Sequence, residues 1–278
     1  MINGDSQLAR EFWEKGALHD CPVLDFHGHM GPVMGGFLPR KRAAEMVGSM
    51  DRCNVPMICF CGHQALFTEH GFRDDIAAAR EFPGRFRMYF PVLSNAADVN
   101  RDVARMNENP DLYVGLKFLC DYYAVKLSDP VHAPYFQYAD DHRLLVLSHT
   151  WATPIDGADE GEKILKRYPN LTFIAGHSFH GEWDRAVELA NRYPNVYLEL
   201  TAVADDRGVI EKFTREAGSD RILFGTDLPW FATHCAIGAI LSADITDDDR
   251  RNIFYRNGAK LLDRFPWFDR TRYLGGVE

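Results

Sequence analysis

The chain lacks any continuous apolar run of about 18 residues, so no segment is expected to cross a bilayer as a helix. Its opening, MINGDSQLAREFWEKGALHD, is polar and charged where an export signal would carry an apolar stretch. Basic clusters are also missing. The 31 Lys and Arg are scattered among 40 Asp and Glu, for a net charge of −9, which argues against nucleic acid or an anionic membrane as partner. Only six cysteines occur in 278 residues, dispersed at 21, 53, 59, 61, 120 and 235, and they read as reduced thiols in a cytoplasmic protein. No Gly/Ser linker divides the chain, so residues 1–278 read as one domain with its core over about 23–262. A G-x-G-x-x-G phosphate turn is absent too, because HGHMGPVMGG has the glycines without that spacing.

What is present is an alternation. Short apolar or β-branched runs near 23–27, 55–61, 86–92, 113–119, 144–149, 171–177, 196–201 and 222–227 predict eight strands. Between them lie stretches of helical period, such as RDDIAAAREF and EWDRAVELANRY, with THCAIGAILSA and TDDDRRNIFYRNGAKLLD as closing helices. Eight strands alternating with helices imply parallel pairing through right-handed crossovers, an α/β fold best read as a single (β/α)8 TIM barrel.

Barrel enzymes carry their chemistry at the C-terminal ends of strands, and polar residues fall there repeatedly. VLDFHGH ends strand 1 with His27 and His29, which a strand points to one side. Lys117 sits near the end of strand 4, His149 closes strand 5, His177 closes strand 6 and Asp227 closes strand 8. Neutral imidazole is a common metal ligand, so paired strand-end histidines point to a divalent ion. Each element alone has an ordinary structural reading: a turn histidine, a helix cap at Asp227, a buried lysine stem at Lys117. Four histidines and an aspartate on one rim are harder to reach from packing needs alone.

The series DFHGH, LKF, LSHTW, AGHSFHGEW and LFGTDLPW resembles the amidohydrolase superfamily, closest to the amidohydrolase-2 branch that includes aminocarboxymuconate semialdehyde decarboxylase-like enzymes. The resemblance implies that His27, His29, His149 and Asp227 hold the metal. His177 would be a further ligand or an acid/base beside the water, and Asp227 shares the catalytic role. It implies one divalent ion rather than two, with Lys117 as a carboxylated bridge in the two-metal branches. Zn²⁺ is the first expectation for such ligands; Mn²⁺, Fe²⁺ and Ni²⁺ suit similar ones.

Asp25, two residues before His27, reads either as the partner that orients its ring or as a strand-start residue bound to backbone. His63 and Cys61 of CGHQ, with Tyr122, Trp151, His180 and Trp230, are candidate pocket walls for a small flat substrate. Lys117, Arg73 and Arg207 are candidates to meet a substrate carboxylate. The expected activity is metal-dependent hydrolysis of a small amide, lactone or ester by a metal-activated water. Non-oxidative decarboxylation of an aromatic or enol acid is the alternative, and a binding barrel without turnover or a phosphate-binding barrel are further rivals. The aromatic stretch FPWFDR suggests a contact surface in a homo-oligomer.

Overall fold

The structure, a computed structural model, describes residues 6–33, 36–69, 71–204 and 206–277. Eight strands form one sheet: β1 (Leu24–Gly28), β2 (Met57–Phe60), β3 (Phe86–Pro91), β4 (Tyr113–Phe118), β5 (Leu145–Trp151), β6 (Thr172–His180), β7 (Val196–Glu199) and β8 (Ile222–Leu223). They follow one another in chain order, every neighbouring pair parallel, with helices between them. This is the expected TIM barrel. The strands are almost wholly buried because helices cover their outer faces and side chains fill the interior. Gly115 marks how closely β4 and β5 approach: a Cβ there would stand 1.7 Å from the Leu145 carbonyl oxygen.

The seam between β8 and β1 departs from the sequence reading. β8 is two residues long, and Phe224–Leu228 continues beside β1 as an irregular strip. Phe26 N–H donates to Phe224 O (3.0 Å), Asp227 N–H to His27 O (2.7 Å) and His29 N–H to Leu228 O (2.7 Å). Within this strip Asp227 adopts φ +56°, outside the extended region. The strip therefore closes the barrel and aims Asp227 across the mouth in one stroke.

Helices arise where expected, and each buries one stripe. Trp183–Arg192 buries Ala186, Val187, Leu189 and Ala190. Two features differ from expectation. The polar N-terminus forms a helix, Gln7–Lys15, begun by the Ser6 hydroxyl accepting from Ala9 N–H and stopped at Gly16 (φ 76°), with Leu8, Ala9 and Phe12 buried. The rings of FPWFDR are half-buried rather than exposed: Trp267 stacks under the Arg87 guanidinium and Phe268 against Tyr273. The exposed surface inferred from that stretch is therefore corrected to packing beneath the barrel. No helix among the described residues is long and apolar enough to cross a membrane. All six cysteines are free, five of them buried.

Candidate active site

His27 lies on β1 with no exposed side-chain surface, and His29 follows just beyond the strand. Their rings are held from behind. His27 Nδ1 lies 2.8 Å from Glu199 Oε2, and His29 Nδ1 lies 2.8 Å from the Cys61 carbonyl oxygen. His177 Nδ1 is likewise 3.1 Å from the Thr201 carbonyl oxygen. These partners only accept, so each neutral ring carries its proton on Nδ1 and offers a lone pair at Nε2. Asp227 Oδ1 sits 3.0 Å from His29 Nε2 and 3.6 Å from His27 Nε2. That oxygen is buried without a hydrogen-bond partner of acceptable geometry.

Three acceptor atoms thus face one another at contact distance, an arrangement that repels unless positive charge lies beside them; Lys117 Nζ touches His27 Nε2 alone, at 2.9 Å. Burial alone would raise the Asp227 carboxyl, and only proton-bearing imidazoles at His27 and His29 would offset that and hold it well below its ordinary range. Burial pushes His27 well below its ordinary value and His177 down to about 4, so both rings stand neutral. The donor set of His27, His29 and Asp227 fits a divalent ion.

Glu199, at the end of β7, is a site residue that the sequence reading missed. It is fully buried and accepts four donors: His27 Nδ1–H, the His177 backbone N–H (3.2 Å), the Thr201 N–H (2.7 Å) and the Thr201 hydroxyl. Four donors match the acceptor capacity of a carboxylate, and burial raises its pKa while the His177 and Thr201 contacts pull the other way. The signal was a glutamate ending an apolar strand, VYLE, where the same strand-end logic applied.

His177, Ser178 and Phe179 are left-handed in succession, with φ of 68°, 53° and 55°. Such residues cost roughly 1–2 kcal/mol each. The turn is held by the His177 N–H on Glu199, by Ser178 Oγ–H donating to Glu199 O (2.8 Å) and by Phe179 N–H donating to Thr150 Oγ1 (2.8 Å). It turns His177 inward and carries His180 away. His180 is corrected from a pocket wall to a support: its ring stacks 4.0 Å behind Trp151, and its Nε2 meets Asp206 at 3.0 Å.

A cavity of about 370 Å³ opens over this cluster. His29, His149, His177, Asp227 and Lys117 face its floor; Tyr122, Trp151, Trp230 and Phe67 wall it. His149 packs 4.7 Å from His177 and parallel to Trp151, outside the His27–His29–Asp227 donor group. Lys117 is 1% exposed, its Nζ 2.9 Å from His27 Nε2, and burial pulls its pKa down to about 8. His63 lines the cavity but both ring nitrogens are engaged: Nδ1 faces Gly31 O at 3.1 Å, and Nε2 accepts from Trp230 Nε1–H at 2.8 Å. Cys61 contributes its carbonyl to His29 rather than its buried thiol to substrate.

Of the two readings of Asp25, the backbone one holds. Its carboxylate accepts from His27 N–H (3.0 Å), Thr226 N–H (3.2 Å) and the Thr226 hydroxyl, which pins β1 to the strip after β8; the ring of His27 is oriented by Glu199 instead. Arg73 and Arg207 are exposed and do not line the cavity, which corrects them as carboxylate partners there.

Comparison with known proteins agrees with this architecture. An uncharacterized TIM-barrel protein from Bordetella bronchiseptica superposes with a TM-score of 0.71 at 20% identity, covering 87% of this chain and 98% of its own. A dihydroxybenzoic acid decarboxylase from Polaromonas, solved with bound manganese and the inhibitor 2-nitroresorcinol, superposes at 0.71 with 16% identity, covering 89% and 100%. A probable 2-pyrone-4,6-dicarboxylic acid hydrolase from Acinetobacter baumannii, solved with citric acid, superposes at 0.67 with 13% identity, covering 88% and 99%. At these identities the likeness establishes the fold. No curated protein matches the sequence. The amidohydrolase family model matches residues 25–264, most of the sequence, and the chain belongs to that family, in its amidohydrolase-2 branch.

Proposed function

We propose that the protein is a metal-dependent hydrolase of a small organic substrate, an amide, lactone or ester. The observation that carries this reading is the convergence of His27 Nε2, His29 Nε2 and the partnerless Asp227 Oδ1 on one point under a cavity. One divalent ion, Zn²⁺ first and Mn²⁺, Fe²⁺ or Ni²⁺ as alternatives, would be held by these three, with His149 and His177 facing it. When bound, such an ion supplies Lewis acidity, polarising a carbonyl and making water acidic near neutral pH.

The chain's own residues do the rest. Asp227, which lines the cavity, would accept a proton at its carboxylate. His177, its Nδ1–H fixed on the Thr201 carbonyl, presents the Nε2 lone pair, which would take up the proton received by Asp227 and pass it to the leaving atom. Proton transfer of this kind contributes typically 10²–10⁴-fold. Trp151, Trp230 and Tyr122 would hold a flat substrate in a volume suited to one small molecule.

Decarboxylation of an aromatic or enol acid is the second reading, favoured by the Lys117 ammonium beside the same groups. The two are separated by assaying metal-loaded protein on lactones, amides and carboxylic acids in ¹⁸O-water. Solvent oxygen in the product without released CO2, abolished in Asp227→Asn, supports hydrolysis. CO2 without solvent oxygen transfers the site to the second reading.

A further inference from the structure

The two histidines of the HGH run are braced differently. His27 leans directly on the Glu199 carboxylate, whereas His29 Nδ1 lies 2.8 Å from a backbone oxygen, that of Cys61. That carbonyl belongs to the same peptide unit as the Gly62 N–H, which donates to Asp75 Oδ2 at 2.8 Å. A buried carboxylate therefore stands behind each ring, the second acting across one peptide bond. Asp75 comes from the helix Gly71–Glu81 and is 4% exposed. Among the described residues that N–H is its one hydrogen-bond donor, and it has no ion pair. Two glycines permit the approach: a Cβ at Gly62 would stand 2.1 Å from Asp75 Oδ1, and one at Gly71 2.1 Å from Ala65 N. An asparagine would accept the same hydrogen bond without the cost of burying a charge, so the bond alone does not account for the acid.

We propose that Asp75 is a positioning residue of the metal centre: through the Cys61–Gly62 peptide it fixes the His29 ring and, when ionised, makes that ring a stronger ligand. The inference rests on the reading of His29 as a metal ligand. A negative charge at the N–H end of a peptide pushes electron density toward its carbonyl oxygen, because hydrogen bonds in a chain polarise one another. The Cys61 oxygen then holds Nδ1–H more firmly, and the ring offers more density at Nε2. Asp75 lies outside the catalytic cavity and lines a separate one of about 270 Å³, shared with Lys41, Arg42, Asp74 and Glu81. Burial brings its pKa up to about 7 against the pull of the Gly62 N–H, with Asp74 adding to the rise, so the relay switches on near neutral pH. The Cys61 thiol and the Tyr113 hydroxyl, which also face it, are pushed up by burial and stay neutral there.

The test compares wild type with Asp75→Asn, which keeps an acceptor for Gly62 N–H and loses only the charge. It records the imidazole Nδ1–H resonances of zinc-loaded protein labelled with ¹⁵N-histidine, and zinc affinity by chelator competition, between about pH 6 and about pH 8.5. The His29 signal, assigned by its proximity to the Gly62 N–H, is expected to move downfield in wild type as pH rises through about 7 and to hold its low-pH position in Asp75→Asn. Wild type is expected to bind zinc about threefold more tightly than the variant at the upper pH and equally at the lower, less than a directly bonded carboxylate gives because one peptide intervenes. A signal that ignores pH, or that moves alike in Asp75→Asn, overturns the proposal. So does an affinity ratio that stays constant across pH, which would leave Asp75 a structural anchor of the turn. If the variant fails to fold, the wild-type signal still decides. Wild type that takes up no zinc would sink the metal-dependent reading, and the same signal followed in metal-free protein then decides the relay. Zinc uptake without the pH response sinks the relay alone.

Discussion

Replacing Glu199 by Gln keeps the shape of the side chain and removes half of its acceptor capacity. The carboxylate takes two donors on each oxygen: His27 Nδ1–H and His177 N–H on Oε2, Thr201 N–H and its hydroxyl on Oε1. A glutamine must turn its NH₂ toward one of these pairs. If it faces Thr201, a buried backbone N–H loses its acceptor, which costs about 1–3 kcal/mol. If it faces His27, the imidazole shifts its proton to Nε2 and can no longer offer a lone pair toward Asp227. Either way the three-acceptor point is degraded, and loss of such a supporting carboxylate typically lowers metal affinity 10–100-fold. At about 1.4 kcal/mol per tenfold, that is roughly 1.4–2.8 kcal/mol. The assay is competition for Zn²⁺ or Mn²⁺ against a chromophoric chelator, with thermal unfolding of the metal-free protein as the control for folding. A folded Glu199→Gln protein that binds metal within twofold of wild type would refute the reasoning.

Other perturbations follow from the same contacts. Asp75 is 4% exposed and accepts from Gly62 N–H, and burial pushes its pKa up to about 7. Between about pH 4, its unfolded value, and pH 7 the folded protein keeps a proton that the unfolded chain has released, so this group erodes stability as pH rises through that window. Asp75→Asn should therefore gain stability over wild type between pH 4 and 8, by on the order of 1–4 kcal/mol, in urea titrations; a pH-independent difference would contradict this. A Cβ at Gly225 would stand 2.0 Å from Glu199 Oε1 and 2.8 Å from His27 Cβ. Gly225→Ala should cost about 1–3 kcal/mol and lower metal affinity at least tenfold, read by melting and chelator competition; unchanged affinity argues against it. Thr226→Val removes the hydroxyl that donates to Asp25 and accepts from Leu228 N–H, loosening the barrel seam. The expected loss is about 2 kcal/mol, or roughly 4–8 °C in Tm, and an unaltered Tm would show that the strip is held by other contacts.

The barrel was legible because eight apolar runs alternate with helical ones and because the reactive residues fall at the ends of those runs. His27, His29, His177 and Asp227 converge for that reason: neighbouring parallel strands bring their C-terminal ends to one rim. Glu199 escaped because its partner His27 is 172 residues away and a lone glutamate in YLELT reads as ordinary strand alternation. His180 was misplaced because strand continuity predicts an inward side chain, whereas three left-handed residues before it swing it behind Trp151. The N-terminal helix was hidden by composition: its apolar stripe is three buried residues in an otherwise polar segment. The irregular end of β8 belongs to tertiary contact, since Asp25 and the β1 backbone hold it where no local propensity would.

The central claim is that His27 and Asp227 share one metal ion. Elemental analysis of purified wild type beside His27→Ala and Asp227→Ala, each shown to be folded by its melting transition, tests it directly. The account predicts about one equivalent of a divalent transition metal in wild type and a loss of most of it in both variants. Wild type that takes up no metal after incubation with zinc or manganese, or variants that retain a full equivalent, would contradict it.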